Sequence, residues 1–358
     1  MAAPITRDHL VQLRLASHFS ATNDDGSAPG AVDVVSRLLA VQAQEFGQAL
    51  WAVGLRVPGS SREDILAVLD SAEVVRSYPI RGTLHFVRPA DLRWMLSLTG
   101  ERMLRSATRR LGELELDQRT LEGAGDVARE ALAGGLELPR DEFLETLDRA
   151  GISPAGQRGY HIIWYLAHTQ VVCWGPPAGS QQALVLLDEW APSEGLKPDR
   201  DEALRRFVLG YFTGHGPATL HDFVWWSKLT VADAKQGLAL ARSELTEYVY
   251  DGATYWAAAE LVPESSPQRG LLLPGYDEYI LGYQDRALTL PREYAARVML
   301  AKNGVFKPTL VLEGEAVGTW RRSPGNSTAD ISPFLESDIS DTHVFDVAIA
   351  AYERFLTS

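Results

Sequence analysis

Apolar positions recur along this chain in two periods, and the switches between them divide it into elements. Leu10, Val11, Leu13 and Leu15 follow Thr6 at helical spacing, which predicts a helix over 7–18 capped by Thr6. A loop rich in Asn, Asp, Gly and Pro covers 20–30. Further helices are predicted from a cap at Asp33 to about 40, over 48–55, and from a cap at Ser61 through 69. Two β-type runs, 74–77 and 83–87, then form a short hairpin through Tyr78-Pro79-Ile80-Arg81-Gly82. Pro89 opens a long helix over 90–110.

The same order returns twice. Helices over 121–133, 140–150 and from Ser153-Pro154 to about 169 precede apolar runs at 171–174 and 183–187, separated by a Gly/Pro loop at 175–179. Helices over 202–212, 218–226 (with Pro217 at its start) and 231–241 (capped by Thr230) precede a hairpin, 247–250 and 254–257, across Asp251-Gly252. Three helices and a hairpin are the order of a winged helix. The repetition is one of pattern, without residue identity between copies. Past Pro263 come a strand over 270–273, a hairpin of 308–312 and 317–321 around Glu313-Gly314, and a last helix from a cap at Asp341 to about 355. The expected fold class is α+β: three tandem winged-helix units, 1–120, 121–198 and 199–262, followed by a β-rich C-terminal region, 263–358.

Composition narrows the reading. With 358 residues and 46% hydrophobic content, two or three packed domains are affordable. No apolar run approaches the ~18 residues that would span a bilayer. The N-terminus lacks a basic stretch followed by an apolar one, so no secretory signal is expected, and the expected compartment is the cytoplasm. The single cysteine, Cys173, sits in an apolar run and reads as a buried small hydrophobe. No metal-ligand spacing, phosphate-binding loop or dinucleotide fingerprint occurs, so neither a metal nor a cofactor is expected. The net charge of −13 argues against nucleic acid as a partner, but its distribution is uneven. Residues 76–110 hold eight arginines against two acids; residues 113–149 hold eleven acids against four arginines. The first stretch is either a phosphate-attracting face or an ordinary solvated helix.

The candidate chemistry centres on Leu38 to Gln48. A short apolar run there ends in two amides, Gln42 and Gln44, one residue apart. In extended backbone both would share a face. Each offers a carbonyl acceptor and two N–H donors, enough to hold a water, a sugar or a base edge; equally, they could be solvated loop glutamines.

Five stretches carry a resemblance: LLAVQAQ from 38, PIRGTLHFV at 79–87, YFTGHGPATLHDFVWWS at 211–227, LPGYDEYILGYQDR at 273–286 and KPTLVLEGEAVGTWRR at 307–322. Over nearly its whole length the chain resembles the HTH_42-type winged-helix family, whose characterised members are DNA glycosylases of the AlkZ and YcaQ (AlkX) kind. The resemblance implies three tandem winged helices and a catalytic signature of Gln, an apolar residue, then Gln or Asp. Here that signature maps onto Gln42, Ala43 and Gln44, the Gln/Gln version; Ala43 is small for the middle position. It further implies a monofunctional glycosylase acting on cationic N7-alkylguanine and related alkylpurines in double-stranded DNA, extending to interstrand crosslinks, for DNA repair or self-resistance to alkylating antibiotics. A C-terminal hairpin would probe the duplex, here within 310–322, with Arg321 and Arg322 on phosphate. Arg81 and His85 are candidate DNA contacts, and Asp277, Tyr279, Tyr283 and Arg286 candidate pocket residues. His215 reads as part of a turn and Trp225-Trp226 as core. A monomer without membrane contact is expected. The alternatives are a non-catalytic winged-helix regulator and a drug-binding resistance protein.

Overall fold

The computed structural model describes residues 3–20, 22–23, 26–179, 181–193, 197–263, 269–300, 304–323, 328–335 and 342–357. In chain order, β1 (Ala3–Pro4), α1 (Arg7–Phe19), α2 (Ala31–Leu38), β2 (Val41–Gln42), α3 (Phe46–Gly54) and α4 (Arg62–Asp70) come first. The hairpin β3 (Val75–Ile80) and β4 (Thr83–Val87) and the long α5 (Pro89–Glu113) follow. Next, α6 (Gln118–Ala131), α7 (Arg140–Arg149) and α8 (Arg158–His168) lead into β5 (Val172–Ala178), β6 (Gln181–Leu186) and α9 (Leu187–Trp190). Then α10 (Arg200–His215), α11 (Leu220–Ser227) and α12 (Val231–Ala241) lead into β7 (Leu245–Tyr250) and β8 (Ala253–Ala258). The remainder is β9 (Gly270–Leu273), α13 (Glu278–Leu281), α14 (Ala295–Val298), β10 (Met299–Leu300), β11 (Val305–Phe306), β12 (Thr309–Leu312), β13 (Glu315–Arg322), β14 (Ala329–Pro333) and α15 (Asp346–Thr357). The class is α+β.

Side-chain caps set several helix starts. Thr6 accepts the His9 N–H at 3.2 Å, Ser61 that of Asp64 at 3.1 Å and Thr230 that of Asp233 at 3.0 Å, as their sequence positions predict. Two starts differ from expectation. Asp33 is not the cap of α2; it lies one turn in, and its carboxylate reaches back to the Gly30 N–H at 2.9 Å. Pro217 does not open α11, because Ala218 is tied to Trp256 in a strand-like bridge. The helix starts two residues later, where Thr219 and Asp222 cap each other reciprocally. The helix expected from Ser153-Pro154 begins only at Arg158. The cap expected at Asp341 lies outside the described residues.

The chain packs as two compact units. One combines residues 1–65 with 204–358. The other is residues 66–203. In the first, β9, β12, β13 and β14 form an antiparallel sheet in the order β14-β13-β12-β9, and β1 adds in parallel to the β7–β8 hairpin. Val11 and Leu15 of α1 pack on Leu271, Leu273, Val311 and Ala316 of the four-stranded sheet. Trp51 of α3 is wedged against Tyr352 and Phe355 of α15, with ring centroids 5.1 Å away in both cases. Phe207, Tyr211, Phe223 and Trp226 form a fully buried aromatic cluster between α10 and α11. Each such side chain contributes roughly 1.5–3 kcal/mol over leaving it exposed.

In the second unit, β4, β3, β5 and β6 lie side by side in that order, all antiparallel. Phe143, Leu147, Ile162, Ile163 and Leu166 of α7 and α8 fill its core. Cys173 is fully buried there, and burial pushes its thiol up to about 12. It is a packed hydrophobe without nucleophilic character at neutral pH.

Candidate active site

The Gln42–Gln44 segment sits between α2 and α3. Leu39 ends α2 in the left-handed region, with φ at 64°, which turns the chain sharply. Ala40 and Val41 are then buried, and β2 ends at Gln42. Burial does not alternate here: Val41, Gln42 and Ala43 are all buried and Gln44 is the first exposed residue, so the two amides expected to share a face differ in exposure. Gln42 is 9% exposed.

The Gln42 side chain is fixed by its own loop. Its Oε1 accepts the Gln44 backbone N–H at 2.9 Å. A backbone N–H can only donate, so the atom facing it is the carbonyl oxygen and not the NH2 group. One lone pair of that oxygen remains for another donor. The main chain is held from the opposite side, where the Gln42 N–H donates to Glu278 Oε1 at 3.2 Å.

Glu278 is 1% exposed and belongs to a buried network. Its Oε2 accepts the Trp226 indole N–H at 2.9 Å and lies 3.4 Å from His215 Nε2. His215 stacks on Tyr211, with ring centroids 4.7 Å apart. A Cβ on Gly282 would lie 2.6 Å from the His215 ring, so only glycine lets α13 approach this closely. Tyr283 donates its hydroxyl proton to the His215 carbonyl at 2.8 Å. Its oxygen must therefore accept from His18 Nε2, also at 2.8 Å, which sets the His18 tautomer. Burial, then the neighbouring His215, Arg56 and Arg14, holds His18 well below the ordinary histidine value. The Arg14 guanidinium lies 3.7 Å from the Tyr283 ring centre and donates to the Pro217 carbonyl.

Several candidate residues are structural. Asp277 is 2% exposed; it caps α13 through the Tyr279 N–H and forms a two-pronged ion pair with Arg56, 2.8 Å on each side. Tyr279 is fully buried and donates to the Gly314 carbonyl at 2.9 Å, and Tyr283 is fully buried in the network above. The expectation that these three line a pocket is corrected: their polar groups are spent inside the protein. Arg286 is half-buried over the Trp225 ring and donates to the Ile280 carbonyl. His215, expected in a turn, ends α10 and is fully buried between the Tyr211 and Trp226 rings and Glu278. Trp226 is core as expected, whereas Trp225 is only half-buried.

His85 belongs to the second unit and is also fully buried. Its Nδ1 donates to the Thr83 carbonyl, so its Nε2 faces Arg81 at 2.9 Å as an acceptor. It is corrected from a groove residue to an internal one, because β4 is covered on both faces. Arg81 is half-buried at the β3–β4 turn, with φ at 56°. The 310–322 hairpin is no free probe: β12 and β13 are the two central strands of the four-stranded sheet. Its turn is locked onto α1, since a Cβ on Gly314 would clash with the Val11 side chain. Arg321 and Arg322 are exposed near the strand end, Arg321 beside Asp330 at 3.3 Å. The arginine-rich stretch is less basic than its composition. Arg76 and Arg93 are buried, Glu101 faces Arg105, and Glu113 bridges Arg109 and Arg110, which hold its carboxyl below the ordinary value, Arg110 first.

Sequence reading did not single out Glu278. Its signal was a carboxylate set inside the mostly apolar run Tyr276 to Tyr283. Among the described residues, no group of three or more His, Cys, Asp or Glu side chains is placed to hold a metal ion.

Comparison with known proteins places this α+β chain in a class of hydrolase, the DNA glycosylases. The family model described as DNA glycosylase AlkZ-like matches residues 35–355, so the chain belongs to that family. The interstrand DNA cross-link repair glycosylase of Streptomyces sahachiroi is 30% identical over 312 residues, 82% of each chain. The solved structure of the Streptomyces sahachiroi DNA glycosylase AlkZ superposes with a TM-score of 0.76 at 24% identity, over 99% of this chain and 97% of that one, which shows a common fold.

Proposed function

We propose that this glycosylase hydrolyses the N-glycosidic bond of cationic N7-alkylguanine and related alkylpurines in double-stranded DNA, including bases held in interstrand crosslinks. The observation that carries the reading is the loop itself: an exposed Gln44 beside a Gln42 whose carbonyl is already oriented. Alkylation at N7 leaves the purine positively charged. When the C1′–N9 bond breaks, its electron pair cancels that charge, so the base departs without being protonated. Positive charge builds on the sugar instead, and a water attacks C1′ and sheds its proton to solvent. An amide cannot take that proton at neutral pH, unlike a carboxylate. Its carbonyl dipole can orient the water and face the sugar cation without rearrangement at the moment of reaction.

Two expectations follow from neutral amides. Activated, cationic lesions are cleaved and neutral damaged bases are poor substrates. An exposed Gln44 also suits a crosslinked base, which cannot swing into a deep pocket. The cross-link repair activity in the name of the Streptomyces sahachiroi relative supports that substrate. In this reading the helix–hairpin repeats act as winged helices on the duplex, Arg81, Arg321 and Arg322 contact phosphate, and the protein works as a monomer.

The test is single-turnover cleavage of a duplex containing 7-methylguanine, read as alkali-labile abasic sites. Wild type forms them. The Gln42→Ala/Gln44→Ala double variant loses about 100-fold in rate, in the range for deleting oriented dipoles, with DNA affinity intact. Wild-type protein that leaves such DNA untouched would sink the reading.

A further inference from the structure

The three motifs around Gln42, His215–Trp226 and Glu278 lie apart in sequence yet meet in one buried network within one unit. We propose that Glu278 is a positioning residue for the reaction: its carboxylate holds the Gln42 main chain, and through it the Gln42 amide, in the attacking-water geometry. This rests on the assignment of Gln42 above. Three observations support it.

First, each oxygen of the carboxylate accepts an N–H: Oε1 from the Gln42 backbone and Oε2 from the Trp226 indole. A carboxamide could accept only one of these bonds and would turn its NH2 against the other donor. Second, Glu278 is itself rigidly placed. Asp277 beside it caps α13 and is locked to Arg56, and Gly275 donates its N–H to Gln48 Oε1 at 2.8 Å. Third, the amide loop and α3 are registered on this segment at three points: Gln42 on Glu278, Gln48 on Gly275, and the Trp51 indole on the Leu272 carbonyl at 2.8 Å. The Gln42 side chain is in turn latched by the Gln44 N–H. A carboxylate buried to this degree is costly in a core, and no hydrophobic contact in the aromatic cluster requires one. Its bond to the loop is one of the polar contacts that offset that cost. A shift of the loop by about 1 Å costs on the order of 100-fold in rate when the bound geometry is the catalyst.

The experiment uses the full chain and two readouts. Hydrogen exchange of the backbone amides at 41–44 reports the Glu278 bond directly, and single-turnover release of 7-methylguanine reports its consequence. Glu278→Gln is expected to speed exchange at Gln42 at least tenfold and to slow release at saturating enzyme about 10- to 100-fold, with DNA affinity within twofold of wild type. Glu278→Gln placed on Gln42→Ala should add little to the residual rate, since it acts through Gln42. Should Glu278→Gln fail to fold, Trp226→Phe removes one donor, leaves the carboxylate in place, and carries the same readouts with a smaller loss. Unchanged exchange at Gln42 overturns the proposal, as does faster exchange with an unchanged rate, or a full multiplicative loss in the Gln42→Ala background. A wild-type rate in Gln42→Ala alone is a separate result: it defeats the catalytic assignment of Gln42 and leaves the Glu278 bond as measured.

Discussion

At the level of single residues, the buried polar groups govern what this protein tolerates. Arg56 and Asp277 are 2% and 1% exposed at their side chains, so each depends on the other. Arg56→Ala leaves a carboxylate in the core with its two strongest donors gone. It should cost about 3–5 kcal/mol in denaturant unfolding, and lysine at 56 should restore only part because it cannot form the two-pronged pair. His168 provides a pH test. Its Nδ1 donates to the Trp164 carbonyl, no described group donates to the acceptor Nε2, and burial lowers its value from 6.5 to about 4. Its folded value is depressed, so between about 6.5 and 4 the unfolded chain takes up a proton that the folded chain refuses. Stability is complete above 6.5 and falls as pH drops toward 4, by roughly 3 kcal/mol at most from this residue. Unfolding free energies measured across that window should decline, and His168→Gln should make the decline shallower, leaving the share of the buried His18. Gln42 and Gln44 were legible in sequence as a pair. Glu278 was not: its apolar neighbours hint at burial, but nothing local says which distant loop a buried carboxylate would anchor.

At the level of elements, pattern predicted more than placement. The hairpin around Glu313-Gly314 was readable from its turn residues, and β12 and β13 form it. Its surroundings were not readable, since the pairing of β12 with β9 and of β13 with β14 is set by chain segments far away in sequence. The hairpin is therefore the middle of a four-stranded sheet and not a separate two-stranded ribbon. Gly314, with φ at 91° and α1 directly against it, marks the docking point. Gly314→Val should destabilise the protein by about 1–3 kcal/mol or more, from overpacking plus a strained backbone, seen as a lower thermal midpoint. Helix starts followed capping chemistry where the cap was local, as at Thr6 and Thr230. They departed at α11, where the bridge of Ala218 to Trp256 claims residues the helix would otherwise take.

At the level of the whole molecule, the chain leaves its first unit near residue 65 and returns at 204. The segment that carries the amide pair therefore depends on partners more than two hundred residues away, Glu278 among them. A fragment ending at 203 should lose cooperative unfolding of its 1–65 part, with rapid amide exchange through α1 to α3, because Val11, Leu15 and Trp51 lose the sheet that covers them. Retained protection in that fragment would contradict the division. Charge also reads differently at this scale. The run of arginines at 76–110 is partly buried and partly paired with Glu101 and Glu113, so its formal excess overstates the field it presents to DNA.

The sequence by itself determined the element types, the threefold return of helices before a hairpin, the buried character of Cys173 and the Gln42-Ala43-Gln44 loop. These depend on periodicity, turn chemistry and residue type within a few positions. Only the tertiary structure decided that Tyr279, Tyr283 and His85 are internal, that the 310–322 hairpin is sheet core, and that Glu278 lies beneath Gln42. Hydrogen bonds and apolar faces are satisfied by whichever group the fold brings near, and a sequence names the groups without naming their neighbours.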